Sequence, residues 1–308
     1  MKARPIQTSA QRLATLTRRH FLKSAGSVAV TIGVGLTPAQ TSPMAGRSRS
    51  GGLIDTNVTL GRWPFRRLPL DDTVALVAKL RQHGVTQAWA GSFDGVFHQN
   101  LAASNTRLAE ECRRQGRGVL VPFGSVNPRL PGWEEEFRRC VEQLEMPGLR
   151  LHPNYHGYEL DDPALVKLLS LASERCLSVQ VAVSMEDERM QHPLARVPHV
   201  NAAPLVDLLP RFPALPVLLL NWQRAVNAGL LRKLAAAGNV YFEIATLEGV
   251  GGVANLLTQI PSERVLFGSH APWFYFESAL LKLQESVLGA APDLAVRSGN
   301  ARRLLAQA

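Results

Sequence analysis

Charged and aromatic residues are scarce in this chain of 308 residues. Charged residues make up 19% of the sequence and aromatic residues 6%, whereas hydrophobic residues make up 46%. Intrinsically disordered chains have the opposite balance, with few apolar residues and a high net charge. The composition therefore excludes a disordered protein and predicts a globular one with a sizeable core. The length fits one large domain or two small ones.

Cysteine is also rare. The three residues Cys112, Cys140 and Cys176 show no Cys-x-x-Cys spacing. An odd number without paired spacing gives no sign of a disulfide framework. Each cysteine lies in a helix-like stretch among apolar neighbours, so we predict buried free thiols. A single disulfide in an oxidising compartment is the alternative, but the sequence selects no pair.

Acidic residues are absent from the first 50 positions, which carry eight basic residues. The basic residues are Lys2, Arg4, Arg12, Arg18, Arg19, Lys23, Arg47 and Arg49. The whole chain has a formal net charge of +9, and these eight residues account for all but +1 of it. A nearly neutral body has no basic surface for DNA or RNA. The charge distribution therefore excludes nucleic acid as a partner.

The basic N-terminal region has no apolar run long enough to span a membrane. Its apolar stretch over residues 25–36 is short and rich in Gly, Ser and Thr, whereas a spanning helix needs about 20 apolar residues. We therefore expect no stable membrane span in the mature chain. Just before this stretch, residues 17–23 match the twin-arginine export pattern, with the arginine pair at Arg18 and Arg19.

This pattern predicts a signal peptide and linker over residues 1–45. Cleavage is expected after Ala39 or Ala45. The twin-arginine (Tat) machinery would be the export partner, and the protein would reach the periplasm or the cell exterior. A chance Arg-Arg pair before an apolar helix is the alternative.

From Leu53 onward, short apolar runs rich in β-forming residues alternate with longer runs of helical periodicity. Eight strand starts lie about 30 residues apart, which fits one strand, one loop and one helix per step. They are Leu53, Thr86, Gly118, Gly148, Ser178, Pro216, Asn239 and Arg264. The predicted helices between them cover residues 72–83, 105–115, 133–144, 163–174 and 225–237.

The strands predict a parallel sheet. Residues 119–123 and 217–220 are apolar at consecutive positions, which is typical of strands buried on both faces. Eight such units with right-handed crossovers form an α/β fold, a single (β/α)8 barrel over residues 52–308. A doubly wound open sheet is the alternative, but no Gly-x-Gly-x-x-Gly turn follows any predicted strand.

Polar residues at the strand ends are the candidate site residues. Active sites of such barrels lie at the carboxyl ends of the strands, and residues two positions apart on a strand share a face. The candidates are Asp55 and Asn57 at the first strand, Arg150 and His152 at the fourth, Asn221 at the sixth, Glu243 at the seventh and His270 at the eighth.

Three segments resemble the amidohydrolase superfamily, in its amidohydrolase-2, decarboxylase-like branch. Residues 148–153 read Gly-Leu-Arg-Leu-His-Pro, close to the family's Gly-x-Lys-Leu-His-Pro. Residues 267–272 read Phe-Gly-Ser-His-Ala-Pro, close to Gly-Ser-Asp-x-Pro, and residues 300–304 resemble the closing helix. The resemblance covers most of the chain after Leu53. It implies a TIM-type barrel of the metal-dependent hydrolase superfamily.

The sequence departs from this family at the metal ligands. The family's first strand reads Ile-Asp-x-His-x-His, and its two histidines correspond to Asn57 and Thr59 here. A histidine common on the sixth strand corresponds to Asn221, and the aspartate of the last strand to His270. The fifth-strand histidine has no counterpart over residues 178–184. Amide and hydroxyl oxygens bind Zn²⁺ weakly, so we expect a degenerate site and no metal cofactor.

A rebuilt site for a divalent metal such as Zn²⁺ is the alternative. A catalytic zinc site usually has three protein ligands and one open position. The residues that could supply the ligands are Asp55, His152, Glu243 and His270.

The family includes lactonases that work without a metal, and this precedent suggests the chemistry. The expected reaction is hydrolysis of a lactone, ester or amide bond of a small organic acid, or decarboxylation of such an acid. His270 would be the general acid or base, because imidazole titrates near neutral pH. Glu243 would orient His270 or take the proton, and Asp55 is the third catalytic candidate.

The substrate is expected to be a small molecule that carries a carboxylate. Arg150 would bind that carboxylate in a bidentate manner. Asn57 and Asn221 would donate hydrogen bonds to a developing oxyanion, and His152 would contact the substrate at the end of its strand.

Alternatives exist for these roles. Arg150 could instead pair with Glu243 or Asp55 inside the barrel. The aromatic residues 273–276 could line a pocket lid, pack in the core or pack in a homo-oligomer such as a dimer. The whole barrel could have lost catalysis and could bind a ligand or a partner protein in the periplasm.

Overall fold

Eight short parallel strands form the centre of the protein. The computed structural model describes residues 52–306, so the predicted signal peptide and linker over residues 1–45 lie outside the described residues. The strands are β1 (Leu53–Leu60), β2 (Val85–Ser92), β3 (Leu120–Pro122), β4 (Gly148–Leu151), β5 (Ser178–Ala182), β6 (Val217–Leu220), β7 (Val240–Glu243) and β8 (Val265–Leu266). Each begins within two residues of the start predicted from the sequence.

The strands follow one another in chain order. One sheet has the order β1-β2-β3 and the other β4-β5-β6-β7-β8. Isolated parallel bridges join the two sheets at both seams, from Gly124 to Leu149 and from Val58 to Ala271. At the second seam the backbone N–H of Thr56 also donates to the carbonyl of Phe267 over 2.9 Å. This is the order of a (β/α)8 barrel, with its ladder interrupted at the two seams.

Helices follow the strands as predicted. In chain order they are α1 (Thr73–Gln82), α2 (Asp94–Phe97), α3 (Leu101–Gln115), α4 (Trp133–Glu142), α5 (Pro153–His156), α6 (Pro163–Glu174), α7 (Leu205–Leu208), α8 (Ala228–Ala237), α9 (Gly252–Leu257), α10 (Phe276–Glu285), α11 (Ala290–Leu294) and α12 (Asn300–Ala306). Single 3₁₀ turns lie at Glu188–Met190, Pro193–Ala195, Leu209–Arg211 and Ser262–Arg264, and a π-helical turn at Ala295–Gly299.

Side-chain caps set the helix starts. The carboxylates of Asp72 and Asp162 accept from backbone N–H groups of the first turns of α1 and α6. Helix α3 begins four residues before its predicted start because Asn100 caps it. Helix α8 begins three residues after its predicted start because Asn227 is its cap.

Apolar residues fill the barrel interior at the amino-terminal end of the strands. Ile54, Trp89, Phe123, Leu218 and Leu266 form a buried cluster there, and α12 packs against it. A larger core lies between the strands and the surrounding helices. The polar side chains at the opposite, carboxyl ends of the strands therefore lie next to a well-packed apolar layer.

The three cysteines are free thiols. Cys112 and Cys140 are buried, as predicted, and burial raises the pKa of the Cys112 thiol to about 12. Cys176 is exposed, so the prediction of burial was wrong there. It lies in the turn after α6 with φ 54°, where the chain leaves the helix surface. Among the described residues, no helix is long and apolar enough to cross a membrane.

Candidate active site

Three of the exchanged ligand positions meet at the carboxyl ends of the strands. Asn57 Nδ2 donates to Asn221 Oδ1 over 3.0 Å. Asn221 Nδ2 in turn lies 3.3 Å from His270 Nδ1. All three side chains are buried. Asn221 and His270 both have left-handed backbone, with φ 54° and 58°, a conformation that is uncommon for residues other than glycine and is enriched at functional sites.

Hydrogen bonds fix the tautomer of His270. Its Nε2 lies 2.8 Å from the carbonyl oxygen of Met185, which can only accept, so Nε2 carries the hydrogen. Nδ1 then holds a lone pair next to the Asn221 amide. Burial lowers the pKa of His270 to about 4. The imidazole is therefore neutral at neutral pH, with Nδ1 as its basic atom.

Glu243 is connected to His270 through Asn221. Its carboxylate accepts from the backbone N–H of Asn221 over 2.6 Å and from that of Ala245. Burial raises the pKa of Glu243 to about 7. A side chain at Gly268 would place its Cβ 2.7 Å from Glu243 Oε2, so this close approach requires glycine.

Asp55 joins the first strand to the end of the last. Its carboxylate accepts from the backbone N–H groups of Asn57 and Ser269, each over 3.0 Å, and from the Ser269 hydroxyl over 2.5 Å. Burial raises the pKa of Asp55 to about 6. These contacts hold β1 against the segment that carries His270. They leave the predicted catalytic role of Asp55 untested.

Arg150 lines none of the three cavities described below, and its predicted binding of a substrate carboxylate stays a prediction. Its Nε donates to Gln180 Oε1 over 2.7 Å, and Nη2 donates to the Trp89 carbonyl over 3.0 Å. Nη1 donates to the Val58 carbonyl over 2.8 Å and to Thr59 Oγ1 over 3.2 Å. The guanidinium is buried and lies inside the barrel, as the alternative expected, but it is bonded to neutral oxygens rather than to Asp55 or Glu243.

His152 is also buried away from the pocket described below. Neither of its ring nitrogens has a hydrogen-bond partner among the described residues. Burial is the largest cause that holds the pKa of His152 well below its usual value, and nearby His156 adds to it. Its ring lies 5.8 Å from that of His156. The predicted contact of His152 with substrate stays a prediction.

A cavity of about 220 Å³ opens beside His270. Asn221 and His270 are the two predicted site residues that line it. The sequence did not point to three further residues of its wall, Arg224, Thr246 and Lys282. They lie on loops or on α10, where no strand-end position marks them. Two larger surface clefts, of about 500 and 520 Å³, are lined by none of the predicted site residues.

One aromatic residue of the predicted lid reaches this cavity. Phe274 lines it, and the neighbouring ring of Trp273 is stacked near His270, with centroids 6.0 Å apart. Trp273 also contacts Trp63, at 4.8 Å between centroids. The aromatic segment therefore covers one side of the site.

The side chains at this rim do not fit a divalent metal. Asn57 and Asn221 are bonded to each other, Thr59 accepts from Arg150, and His270 Nε2 is bonded to a carbonyl. Residues 52–306 contain no group of three or more His, Cys, Asp and Glu residues placed to hold a metal ion, so the rebuilt site is not formed there. The expectation that the protein works without a metal stays a prediction.

Several solved structures share this fold. A 5-carboxyvanillate decarboxylase from Sphingomonas paucimobilis has a TM-score of 0.65 at 15% identity, covering 83% of this chain and 99% of that chain. A 2,6-dihydroxybenzoate decarboxylase from Rhizobium has a TM-score of 0.62 at 13% identity, with coverage of 83% and 99%.

A third neighbour contains a metal. The dihydroxybenzoic acid decarboxylase from Polaromonas sp. JS666, with bound manganese and the inhibitor 2-nitroresorcinol, has a TM-score of 0.63 at 14% identity, with coverage of 83% and 97%. At such low identities the likeness shows the fold alone, and the predicted barrel is confirmed.

No curated protein matches the sequence. The family model described as Amidohydrolase matches residues 58–306, and the chain therefore belongs to the amidohydrolase family, in its amidohydrolase-2 branch.

Proposed function

We propose that the protein is a hydrolase that cleaves a lactone, ester or amide bond of a small organic acid without a divalent metal. The observation that carries this proposal is the neutral imidazole of His270. Its Nε2–H is anchored on the Met185 carbonyl, and the ring lines a cavity of about 220 Å³. Nδ1 is then the basic atom available for proton transfer.

In the proposed reaction, His270 Nδ1 takes a proton from a water molecule in the cavity. The water oxygen attacks the carbonyl carbon of the substrate, and the carbonyl oxygen takes up the negative charge. When the bond to the leaving oxygen or nitrogen breaks, Nδ1–H returns the proton to that atom. The imidazolium intermediate would turn Nδ1 into a donor, which requires the Asn221 amide to move from its position 3.3 Å away.

Glu243 and Asn57 support this geometry rather than touch the substrate. Glu243 holds the backbone N–H of Asn221, and Asn57 holds the Asn221 side-chain oxygen. One N–H of the Asn57 side chain already donates to Asn221, and the Asn221 amide nitrogen already lies next to His270. These groups are therefore not free to donate to an oxyanion. Their predicted role as oxyanion donors therefore needs a rearrangement on substrate binding.

Decarboxylation is the second candidate, favoured by the fold likeness to decarboxylases. One such neighbour is described with manganese, whereas the rim of this protein does not fit a divalent metal. We therefore place hydrolysis first. Membership in an enzyme family does not favour the alternative of an inactive binding protein.

The test uses the purified protein with a panel of lactones, aryl esters, amides and carboxylic acids. Metal content is measured by inductively coupled plasma mass spectrometry, and each activity is assayed with and without a chelator. We expect hydrolysis that survives chelation, and a loss of about 100-fold or more in kcat/KM in His270→Gln. The matched control is His98→Gln, because His98 is half-exposed and paired only with Asp94.

The pH profile gives a second readout. Because burial lowers the pKa of His270 to about 4, its basic form persists through neutral pH and is lost as the pH falls through about 4. We expect the acidic limb of kcat/KM to follow the titration of His270 and to fall below about pH 5, whereas any step near pH 7 would belong to Glu243, whose pKa is about 7. An activity that needs stoichiometric metal, or that is unchanged in His270→Gln, would overturn the proposal.

A further inference from the structure

The charged groups around the cavity are paired, with one exception. Arg224 contacts Asp187 over 2.5 Å and Glu248 over 3.0 Å. Glu186 contacts Arg66 over 3.1 Å. Lys282 also lines the cavity, but no carboxylate of the described residues lies within 4.0 Å of its ammonium group.

The position of Lys282 is held by a single hydrogen bond. Its Nζ donates to the Ala245 carbonyl over 2.8 Å. An ammonium group has three N–H donors, so two remain for another partner. The side chain is partly buried, and burial lowers the pKa of Lys282. Glu243, Glu248 and Glu285 act on the charge of Lys282 only from beyond ion-pair distance. A partly desolvated cation is unfavourable, and an anion in direct contact with the ammonium group would offset this cost.

A second unpaired donor belongs to the wall of the same cavity. Thr246 follows Ala245 in the chain and lines the same cavity. Its Oγ1 is buried and has no hydrogen-bond partner among the described residues. Buried hydroxyl groups are normally hydrogen-bonded. A carboxylate has two oxygens, and these two adjacent donors could bind one each.

We propose that Lys282 and Thr246 form the binding subsite for the carboxylate group of the substrate. This inference rests on the proposed function, because it names the group that positions the substrate next to His270. It also assigns to Lys282 the task that the sequence suggested for Arg150, whose donors are engaged inside the barrel. The single unpaired cation matches a monoanion, and the cavity of about 220 Å³ limits the ligand to a small acid.

Matched pairs of probes test this subsite without turnover. Benzoate and benzamide, and butanoate and butanamide, have nearly the same shape but differ in charge. Binding is measured by isothermal titration calorimetry with the full chain. In the wild type we expect the carboxylate of each pair to bind more tightly than the amide.

Lys282→Met keeps the length of the side chain and removes the charge. We expect a loss of about 10- to 100-fold in carboxylate affinity, as for a hydrogen bond to a charged group, and no change in amide affinity. Lys282→Arg should recover part of the carboxylate affinity. Lys233→Met is the control, because Lys233 is an exposed lysine on α8.

Thr246→Val is a second variant, of nearly equal shape, for the case in which Lys282→Met does not fold. It should weaken carboxylate binding several-fold and leave amide binding unchanged. The subsite is overturned if the wild type binds each amide as tightly as its carboxylate, if neither variant weakens carboxylate binding, or if inorganic phosphate binds more tightly than the carboxylates.

These outcomes are separate from those of the proposed function. Carboxylate binding that depends on Lys282, without hydrolysis of any substrate in the panel, would support the proposed subsite and contradict the proposed hydrolase function. Hydrolysis that depends on His270 but not on Lys282 would sustain the hydrolase and overturn the subsite.

Discussion

Asp55 and Glu243 are two buried carboxyl groups, and their protonation depends on the fold. Burial raises the pKa of Asp55 from 3.8 to about 6 and that of Glu243 from 4.5 to about 7. Each group therefore binds its proton more tightly in the folded protein than in the unfolded chain. Their contribution to stability is fully present below about pH 4 and is lost as the pH rises through 6 and 7.

This direction of the pH dependence of stability leads to a prediction for Glu243→Gln. In the wild type, we expect the free energy of unfolding to fall between pH 5 and pH 8, and Glu243 accounts for at most about 3 kcal/mol of that fall. Glutamine does not titrate, so the variant should be less stable at pH 5 but should lose less stability as the pH rises. Urea denaturation at four pH values measures both slopes.

The control for this prediction is Glu263→Gln, since Glu263 is an exposed glutamate. Its pH dependence should match that of the wild type. If Glu243→Gln also follows the wild-type slope, the carboxyl group of Glu243 is not protonated on folding and the prediction is wrong.

At the residue level the sequence predicted which positions converge, but not what they contact. Strand-end spacing placed Asn57, Asn221 and His270 at one rim, and the structure brings them into contact. The spacing could not show that Arg150 points at backbone carbonyls, because it predicts which face of a strand a side chain lies on and not which groups the side chain contacts. Lys282 gave no signal, since a lysine on an amphipathic helix is normally solvated.

Arg150 connects four strands through one side chain. From β4, its guanidinium reaches the carbonyl of Val58 on β1, that of Trp89 on β2 and the side chain of Gln180 on β5. Gln180 in turn donates to the carbonyl of Thr56 over 2.8 Å. This cation sits near the seam between the two sheets, where the regular ladder is interrupted.

We therefore expect Arg150→Met to destabilise the protein by about 3–5 kcal/mol, because it leaves several buried oxygens without donors, and each unsatisfied group costs about 1–3 kcal/mol. Arg150→Lys should recover only part of the lost stability. The single ammonium nitrogen of lysine cannot reach the three separate acceptors that the planar guanidinium of arginine reaches. Chemical denaturation measures the free energy of unfolding of each variant.

Arg211→Met is the matched control, because Arg211 is exposed and, within residues 52–306, forms no ion pair but a cation–π contact with Phe212, at 5.7 Å. It should change stability by no more than about 0.5 kcal/mol. A loss in Arg150→Met as small as that of the control would show that the four-strand connection does not hold the barrel together.

The elements themselves were readable from the sequence. Periodicity and spacing located all eight strands to within two residues of their starts. The sequence did not predict one irregularity within a strand. The pairing of β1 with β2 shifts register between Asp55 and Val58, in the segment where Asp55 is hydrogen-bonded to Ser269. Hydrogen bonds to residues more than 200 positions away in the chain leave no mark on local periodicity.

For the whole molecule, the charge is concentrated at one end of the chain. Residues 1–50 carry all but +1 of the net charge of +9, and the barrel that follows is nearly neutral. We propose that residues 1–45 are an export signal with its linker and that the barrel works in the periplasm or outside the cell. A homo-oligomer packed through the aromatic residues 273–276, of which Tyr275 is exposed, stays a prediction for measurement by light scattering.

The export signal can be tested apart from the enzyme. In a bacterial host with the twin-arginine pathway, we expect the full chain in the periplasmic fraction, shortened at Ala39 or Ala45 as measured by intact mass. Replacing Arg18 and Arg19 together by lysine should hold the chain in the cytoplasm at full length, because the pathway recognises the arginine pair itself and not the positive charge. The control replaces Arg47 and Arg49 by lysine, which keeps the charge and lies beyond both predicted cleavage sites. If the wild type stays in the cytoplasm at full length, or if the two double variants behave alike, the arginine pair is a chance feature of a basic segment.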